Sequence, residues 1–304
     1  MPHRLAYGVG AFVNNLLAAA SGGMMIVLNL GLGMNPALVG LLGALPRLTD
    51  AFTDPLMGFI SDNARTRWGR RRPFIVCGVI AAGLLFALLW QLPAGRSETF
   101  YFVWFLVGSI IFYLGYTVWV TPWVALGYEL TPDYHERTRL MGTQNFIGQL
   151  AYVVSPWFLW IMNSGRIFRN EAGEPDQVAG AAGLAIVVAL VAIGLGMVPA
   201  ILLRERMQAV AAVETGAARG FRYNITEFFR GFGVTLSNGP FLKLCLATFL
   251  VFNGFMLIAS FQFYVIIYFV CGGDETAGAK YAGMAGTVGA VCTFAVVAFV
   301  TWLG

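Results

Sequence analysis

Eight apolar stretches, each about 20 residues or longer, run through this chain near 5–31, 36–61, 74–92, 100–126, 140–162, 179–203, 239–270 and 279–303. About 20 apolar residues is the length a helix needs to cross the hydrocarbon core of a bilayer. In lipid, backbone groups are satisfied only inside helices or closed barrels, and none of these stretches alternates as barrel strands do. An all-α integral membrane protein is therefore expected. Composition agrees: 58% of the 304 residues are hydrophobic and 11% charged, against about a quarter charged in a soluble domain. The first stretch is too long for a secretory leader and lacks a small-residue cleavage pattern, so it is expected to stay in the mature protein.

Arginines sort the loops. Arg4, then Arg65, Arg67, Arg70, Arg71 and Arg72 after the second stretch, and Arg204, Arg206, Arg219, Arg222 and Arg230 after the sixth, alternate with poorer loops. Those hold Arg96, Arg166, Arg169 and Lys280, partly balanced by Glu98, Glu171, Glu174 and Asp176. Positive residues collect in the cytoplasm, so the N-terminus and the 204–238 loop are expected on the cytoplasmic side of what is expected to be a bacterial inner or plasma membrane. The net charge of +4 reflects this sorting, so membrane lipids rather than nucleic acid are the expected partners.

The longest polar interval, 204–238, separates a bundle of six segments (1–203) from the start of another (239–304). Phe221, Phe228, Phe229 and Phe232, with Arg222 and Arg230, read either as a headgroup-level amphipathic stretch or as a plain linker. Six helices, a linker and more helices suggest a two-bundle transporter. The count leaves that plan incomplete at Gly304, so a fragment or truncated product is expected.

Within the second stretch stand Arg47, Asp50 and Asp54. At about 100° per residue they fall within an arc of about 60° on one helix side. Each charge at mid-membrane costs on the order of 2.5–3.5 kcal/mol, so three need a reason. Arg47 neutralises one carboxylate, and the remaining negative charge suits one cation. A buried Arg47–Asp50 pair locking two helices is the plainer alternative, but it leaves Asp54 without an explanation. Thr53 and, from the fourth stretch, Thr117 offer oxygens to complete the shell of a hard cation; a proton on Asp54 would serve equally. No cofactor motif, nucleophile–base pair or metal-ligand spacing is present in the sequence, and no enzyme is expected.

The fourth stretch aligns Tyr113, Tyr116, Thr117 and Thr121, with Trp119 and Trp123 beside them. Aromatic platforms next to hydroxyls suit a sugar, although interhelical packing uses the same residues. Asn15 in the first stretch and Asn145 and Gln149 in the fifth are either solute contacts or amide links between helices. At the cytoplasmic side Asp62, Arg70 and Arg71, and then Glu129, Asp133 and Arg137, have mixed signs that suit a salt-bridge latch between conformations.

Four runs carry a family resemblance: Tyr7 to Phe12 (YGVGAF), Asp50 to Gly58 (DAFTDPLMG), Arg67 to Arg70 (RWGR), and Ala125 to Arg139. Together they resemble the glycoside–pentoside–hexuronide:cation symporters of the major facilitator superfamily. The resemblance implies a twelve-helix fold, of which this chain covers about the first eight spans, alternating access, and sugar uptake driven by Na+ or H+. It further implies that Asp50, Asp54 and Thr117 are cation-site residues and that Arg47 is their charge partner, with Thr53 standing where melibiose-type members have asparagine. Those members also carry aspartate, aspartate and arginine where this chain has Asn15, Val120 and Asn145. Galactoside transport of that type is therefore not expected. Another glycoside is the first expectation, with Asn15, Tyr116, Trp123, Asn145 and Gln149 as its contacts; an apolar or lysolipid-like solute is the rival. A passive facilitator or a nontransporting membrane protein would predict flux without accumulation, or none. Nothing in the sequence demands an obligate protein partner, so a monomer is expected.

Overall fold

The computed structural model describes residues 2–64, 66–93, 95–164, 168, 176–203, 230, 233 and 237–303. The 204–238 linker, with its phenylalanine-bearing stretch, lies almost wholly outside the described residues. The chain divides into two compact units, residues 1–206 with 279–304, and residues 207–278.

The first unit opens with α1 (Pro2–Met24), which breaks at Met25 and resumes as α2 (Ile26–Leu30). Then follow α3 (Pro36–Ala44), α4 (Arg47–Asn63), α5 (Arg72–Leu89) and α6 (Glu98–Glu129). The fifth stretch is α7 (Tyr134–Gln149), α8 (Ala151–Val154), a 3-10 turn (Ser155–Trp157) and α9 (Phe158–Met162); the sixth is α10 (Gln177–Leu202). Among the described residues, four helical stretches are each long and apolar enough to cross a membrane: His3–Leu30, Arg72–Leu89, Glu98–Glu129 and Gln177–Leu202.

The expected spans 36–61 and 140–162 are each divided. Pro46 has no N–H to offer the carbonyl one turn back, and its ring collides with that carbonyl, so the helix restarts at Arg47. The fifth stretch loosens at Leu150 and tightens into the 3-10 turn around Pro156. Pro55, Pro122 and Pro199 stay inside α4, α6 and α10. A proline in an apolar stretch therefore marks where a helix can break, and the packing around it decides whether it does.

In this unit α1 lies against α7 and α10, α10 against α5, α5 against α6, and α6 against α4. Small residues make these approaches close. Ala181, Ala185, Ala189, Ala192, Gly196 and Ala200 form a buried stripe along α10, the pattern expected where helices must pack without a hydrophobic drive from water. Phe86, Trp90, Phe105 and Phe112 fill the α5–α6 seam with rings 5.1–6.5 Å apart. Gly78 sits where a Cβ would lie 2.4 Å from the Trp119 backbone nitrogen. Gly78→Ala must separate two backbones, so it is expected to lower stability by about 1–3 kcal/mol, the usual overpacking range. Gly194→Ala, which meets no atom within 4 Å, is the control, and thermal unfolding in detergent reads both. Equal melting points would remove the close α5–α6 approach.

The remainder of this unit comes from α12 (Glu275–Leu303), whose residues from 279 onward belong to it. They pack on the fifth stretch: Trp157 Nε1 donates to Thr287 Oγ1 at 2.8 Å, and Phe146 meets Phe294 at 5.1 Å. Gly283 and Gly286 leave room for Trp157 and Pro156.

The second unit contains α11 (Gly239–Tyr264), capped by Asn238, whose side chain accepts from the Phe241 N–H. It runs on through a π-helical turn, Val265–Val270, and reverses at Gly272 and Gly273, where φ is +61° and +97°. Positive φ is costly for residues with a Cβ, which accounts for the paired glycines. Asp274 then accepts from Thr276 and Ala277 N–H groups at the start of α12.

Candidate functional site

Asp50, Thr53 and Asp54 lie one to two turns into α4, on the side facing α6, because the break at Pro46 sets where that helix begins. From α6, the buried Thr117 donates its hydroxyl to Asp54 Oδ1 at 2.8 Å. Arg47 Nη1 stands 3.7 Å from Asp50 Oδ2, a loose pair in which Arg47 is 48% exposed and Asp50 21%. The same guanidinium covers the Tyr113 ring, 4.4 Å from its centroid, so the arginine is drawn in two directions.

Two oxygens here are buried and make no hydrogen bond among the described residues: Asp50 Oδ1 and Thr53 Oγ1. A buried carboxylate oxygen without a donor is expensive, by about 1–3 kcal/mol or more for a charged group. A hard cation coordinated by oxygens removes that cost. With Arg47, the carboxylates Asp50 and Asp54 give a formal charge of −1, and Thr53 and Thr117 add neutral hydroxyl oxygens.

Beside this cluster the Tyr116 hydroxyl donates to Asn14 Oδ1 at 2.6 Å, and Asn14 Nδ2 donates to Asn15 Oδ1 at 3.3 Å. Asn14 was not among the sequence candidates, although adjacent amides in an apolar stretch were the available signal. Asn15 also lies against Gly148, where a Cβ would approach its Nδ2 to 2.9 Å. Asn145 is exposed, Gln149 is half-buried, and neither side chain makes a hydrogen bond among the described residues. Trp123 is placed elsewhere: it is 1% exposed, stacked on Tyr7 at 5.0 Å, with its indole nitrogen over Gly10.

At the arginine-rich end, four of the six expected latch residues converge. Arg71, only 6% exposed, donates through Nε and Nη2 to Asp62 Oδ1 at 3.1 and 2.5 Å, and Nη2 lies 3.0 Å from Glu129 Oε1. Arg70 Nη2 reaches the same Glu129 oxygen at 2.6 Å. The network ties the end of α4, the start of α5 and the end of α6. Asp133 and Arg137 are not part of it: Asp133 caps α7 by accepting from the Glu136 N–H at 2.7 Å, and Arg137 Nη2 lies 3.4 Å from the Tyr128 and Thr131 carbonyls. A separate pair, Arg4–Glu136 at 2.8 Å, joins α1 to α7.

Residues 6–304 match the family described as MFS/sugar transport protein. An uncharacterized symporter of Synechocystis sp. is 30% identical over 194 residues, 61% of this chain and 34% of that protein. The isoprimeverose transporter of Lactiplantibacillus pentosus is 28% identical over 152 residues, 50% of this chain and 32% of its own length. The mouse sodium-dependent lysophosphatidylcholine symporter 1 is 30% identical over 140 residues, 44% and 26% respectively. The matched stretch thus spans about a third or less of each of these relatives.

Proposed function

Because this chain belongs to the MFS/sugar transport protein family, we propose that it supplies the cation site of a symporter that couples Na+ or H+ to uptake of a sugar or glycoside. The family is one of multi-pass membrane transporters, not enzymes. The observation that carries the reading is the pair of buried, unbonded oxygens, Asp50 Oδ1 and Thr53 Oγ1, beside the Asp54–Thr117 hydrogen bond. A site of net charge −1 accepts one monovalent cation and becomes neutral, which lowers the cost of enclosing it in a low-dielectric interior.

The neighbouring Tyr116–Asn14–Asn15 chain gives the solute side its hydrogen-bonding groups, with Asn145 and Gln149 of α7 proposed as further contacts. The arginine-rich end is read as cytoplasmic, and there the Asp62–Arg71–Glu129–Arg70 network closes in one conformation and opens in the other. The 204–238 interval serves as the linker between two bundles that rock about the central site. The protein is read as a monomer.

A lysolipid-like solute is the second reading. The amides at Asn15 and Asn145 and the apolar Val120 favour a less polar cargo, and one relative is a lysophosphatidylcholine symporter. Uptake by the full-length gene product in vesicles decides between them. Labelled glycosides and a labelled lysolipid are offered under a sodium gradient and, separately, a proton gradient. Glycoside accumulation under one gradient supports the first reading and identifies the ion; lysolipid accumulation alone supports the second; accumulation of neither under any gradient overturns both.

A further inference from the structure

At the same arginine-rich end, away from the cation cluster, Arg67, Trp68, Arg72, Val76, Ala200 and Ile201 line a cleft of about 370 Å³ between the start of α5 and the end of α10. We propose that this cleft is a binding site for the headgroup of an anionic phospholipid.

Among the described residues, two guanidinium groups line the cleft and no carboxylate does. Two described acids at this end are engaged elsewhere, Asp62 with Arg71 and Glu129 with Arg70 and Arg71. Arg72 builds the floor: its Nε donates to the Ala200 carbonyl at 2.5 Å and its Nη2 to the Ile201 carbonyl at 3.2 Å, where the end of α10 is electronegative. Arg67 is exposed on the turn and makes no ion pair among the described residues. It is the group left to hold a phosphate, for which a planar guanidinium is well shaped. Trp68, 68% exposed at the rim, has the character of an indole at a membrane interface.

The apolar walls decide the class of anion. Val76 and the exposed Ile201 line the cleft, and the same two helices, α5 and α10, carry the exposed apolar residues Leu84, Leu88, Val187 and Leu190 further along. A free phosphate or nucleotide has no use for apolar walls and exposed apolar residues on the flanking helices, whereas a phospholipid needs such surface for its acyl chain. Basic pockets between helices at the cytoplasmic surface select anionic headgroups in this way.

The test uses the chain in phosphatidylcholine nanodiscs containing a minority of brominated phosphatidylglycerol or, separately, brominated phosphatidylcholine. The emission of Trp68 is isolated by difference from Trp68→Phe. Stronger quenching by the brominated anionic lipid is expected, and Arg67→Gln should reduce that preference about fivefold, the contribution of one arginine near an anionic surface. Arg67→Lys should keep most of it, which separates charge from folding. Equal quenching by both lipids, or an undiminished preference in Arg67→Gln, would overturn the proposal. Relief of quenching by inorganic phosphate would also overturn it, by making the cleft a soluble-anion site. Because the anionic lipid is present in both leaflets, the result does not depend on the orientation or the transported solute proposed above.

Discussion

Vesicles containing the full-length protein with Asp54→Asn are expected to equilibrate solute but not to accumulate it. The substitution preserves shape, and an amide oxygen still accepts the Thr117 hydroxyl that Asp54 Oδ1 accepts at 2.8 Å, so the α4–α6 contact survives. What disappears is the charge: with Asp54 neutral, Arg47 and Asp50 cancel and the site no longer attracts a monovalent cation. Ion affinity should fall roughly 10- to 100-fold, the equivalent of about 1.5–3 kcal/mol for a charge-assisted contact. Solute exchange with equal concentrations on both sides should persist, because exchange needs no net ion movement. Radiolabelled uptake with and without an imposed gradient measures both. Full gradient-driven accumulation by Asp54→Asn would place coupling elsewhere in the protein.

The second large effect concerns the arginine-rich latch. Glu129→Ala takes from Arg70 and Arg71 the oxygen they share at 2.6 and 3.0 Å. Removing one partner of a buried pair costs about 3–5 kcal/mol. Here the cost should be nearer 2 kcal/mol, since Arg71 keeps Asp62 and Glu129 is partly exposed. If the network exists in only one conformation, that cost shifts the balance toward the open state by about 30-fold. Asp62→Ala should act in the same direction but more weakly, because Asp62 is half exposed and Arg71 retains Glu129. Spin-label distances between the bundles report the shift, while titration of cation binding should show site affinity nearly unchanged once the population change is allowed for. A large change in intrinsic cation affinity in Asp62→Ala would instead put Asp62 in the binding site.

The parts of this molecule that were legible from sequence are those governed by rarity and periodicity. Charges inside apolar stretches are expensive, so Arg47, Asp50 and Asp54 stood out; Thr117 was legible as an oxygen donor and by family resemblance, and it meets Asp54 in the structure. Helix breaks were harder to read. Pro46 stands where one helix gives way to the next, whereas Pro122 stays within one. Facing was harder still. Trp123 shares a stripe with Trp119, yet Gly10 and Tyr7 receive its ring, and only the register of α1 against α6 reveals that. Asn14 and Asn15 are about 100° apart on one helix, and the same register determines that Asn14 is the one to meet Tyr116. Asp133 and Arg137 resembled bridge partners because a helix cap and a salt bridge draw on the same residue types.

The charge count at Arg47, Asp50 and Asp54 also governs how the membrane voltage acts. An elementary charge crossing the whole field exchanges about 2.3 kcal/mol per 100 mV. On the proposed reading the ion-loaded site is neutral, so its reorientation is indifferent to voltage. The empty site returns with one negative charge, and a potential that is negative inside pushes that charge outward. Voltage would therefore speed the empty return rather than the loaded crossing, and transient currents should be measurable with no solute present. In Asp54→Asn the empty site is already neutral, and those currents should vanish.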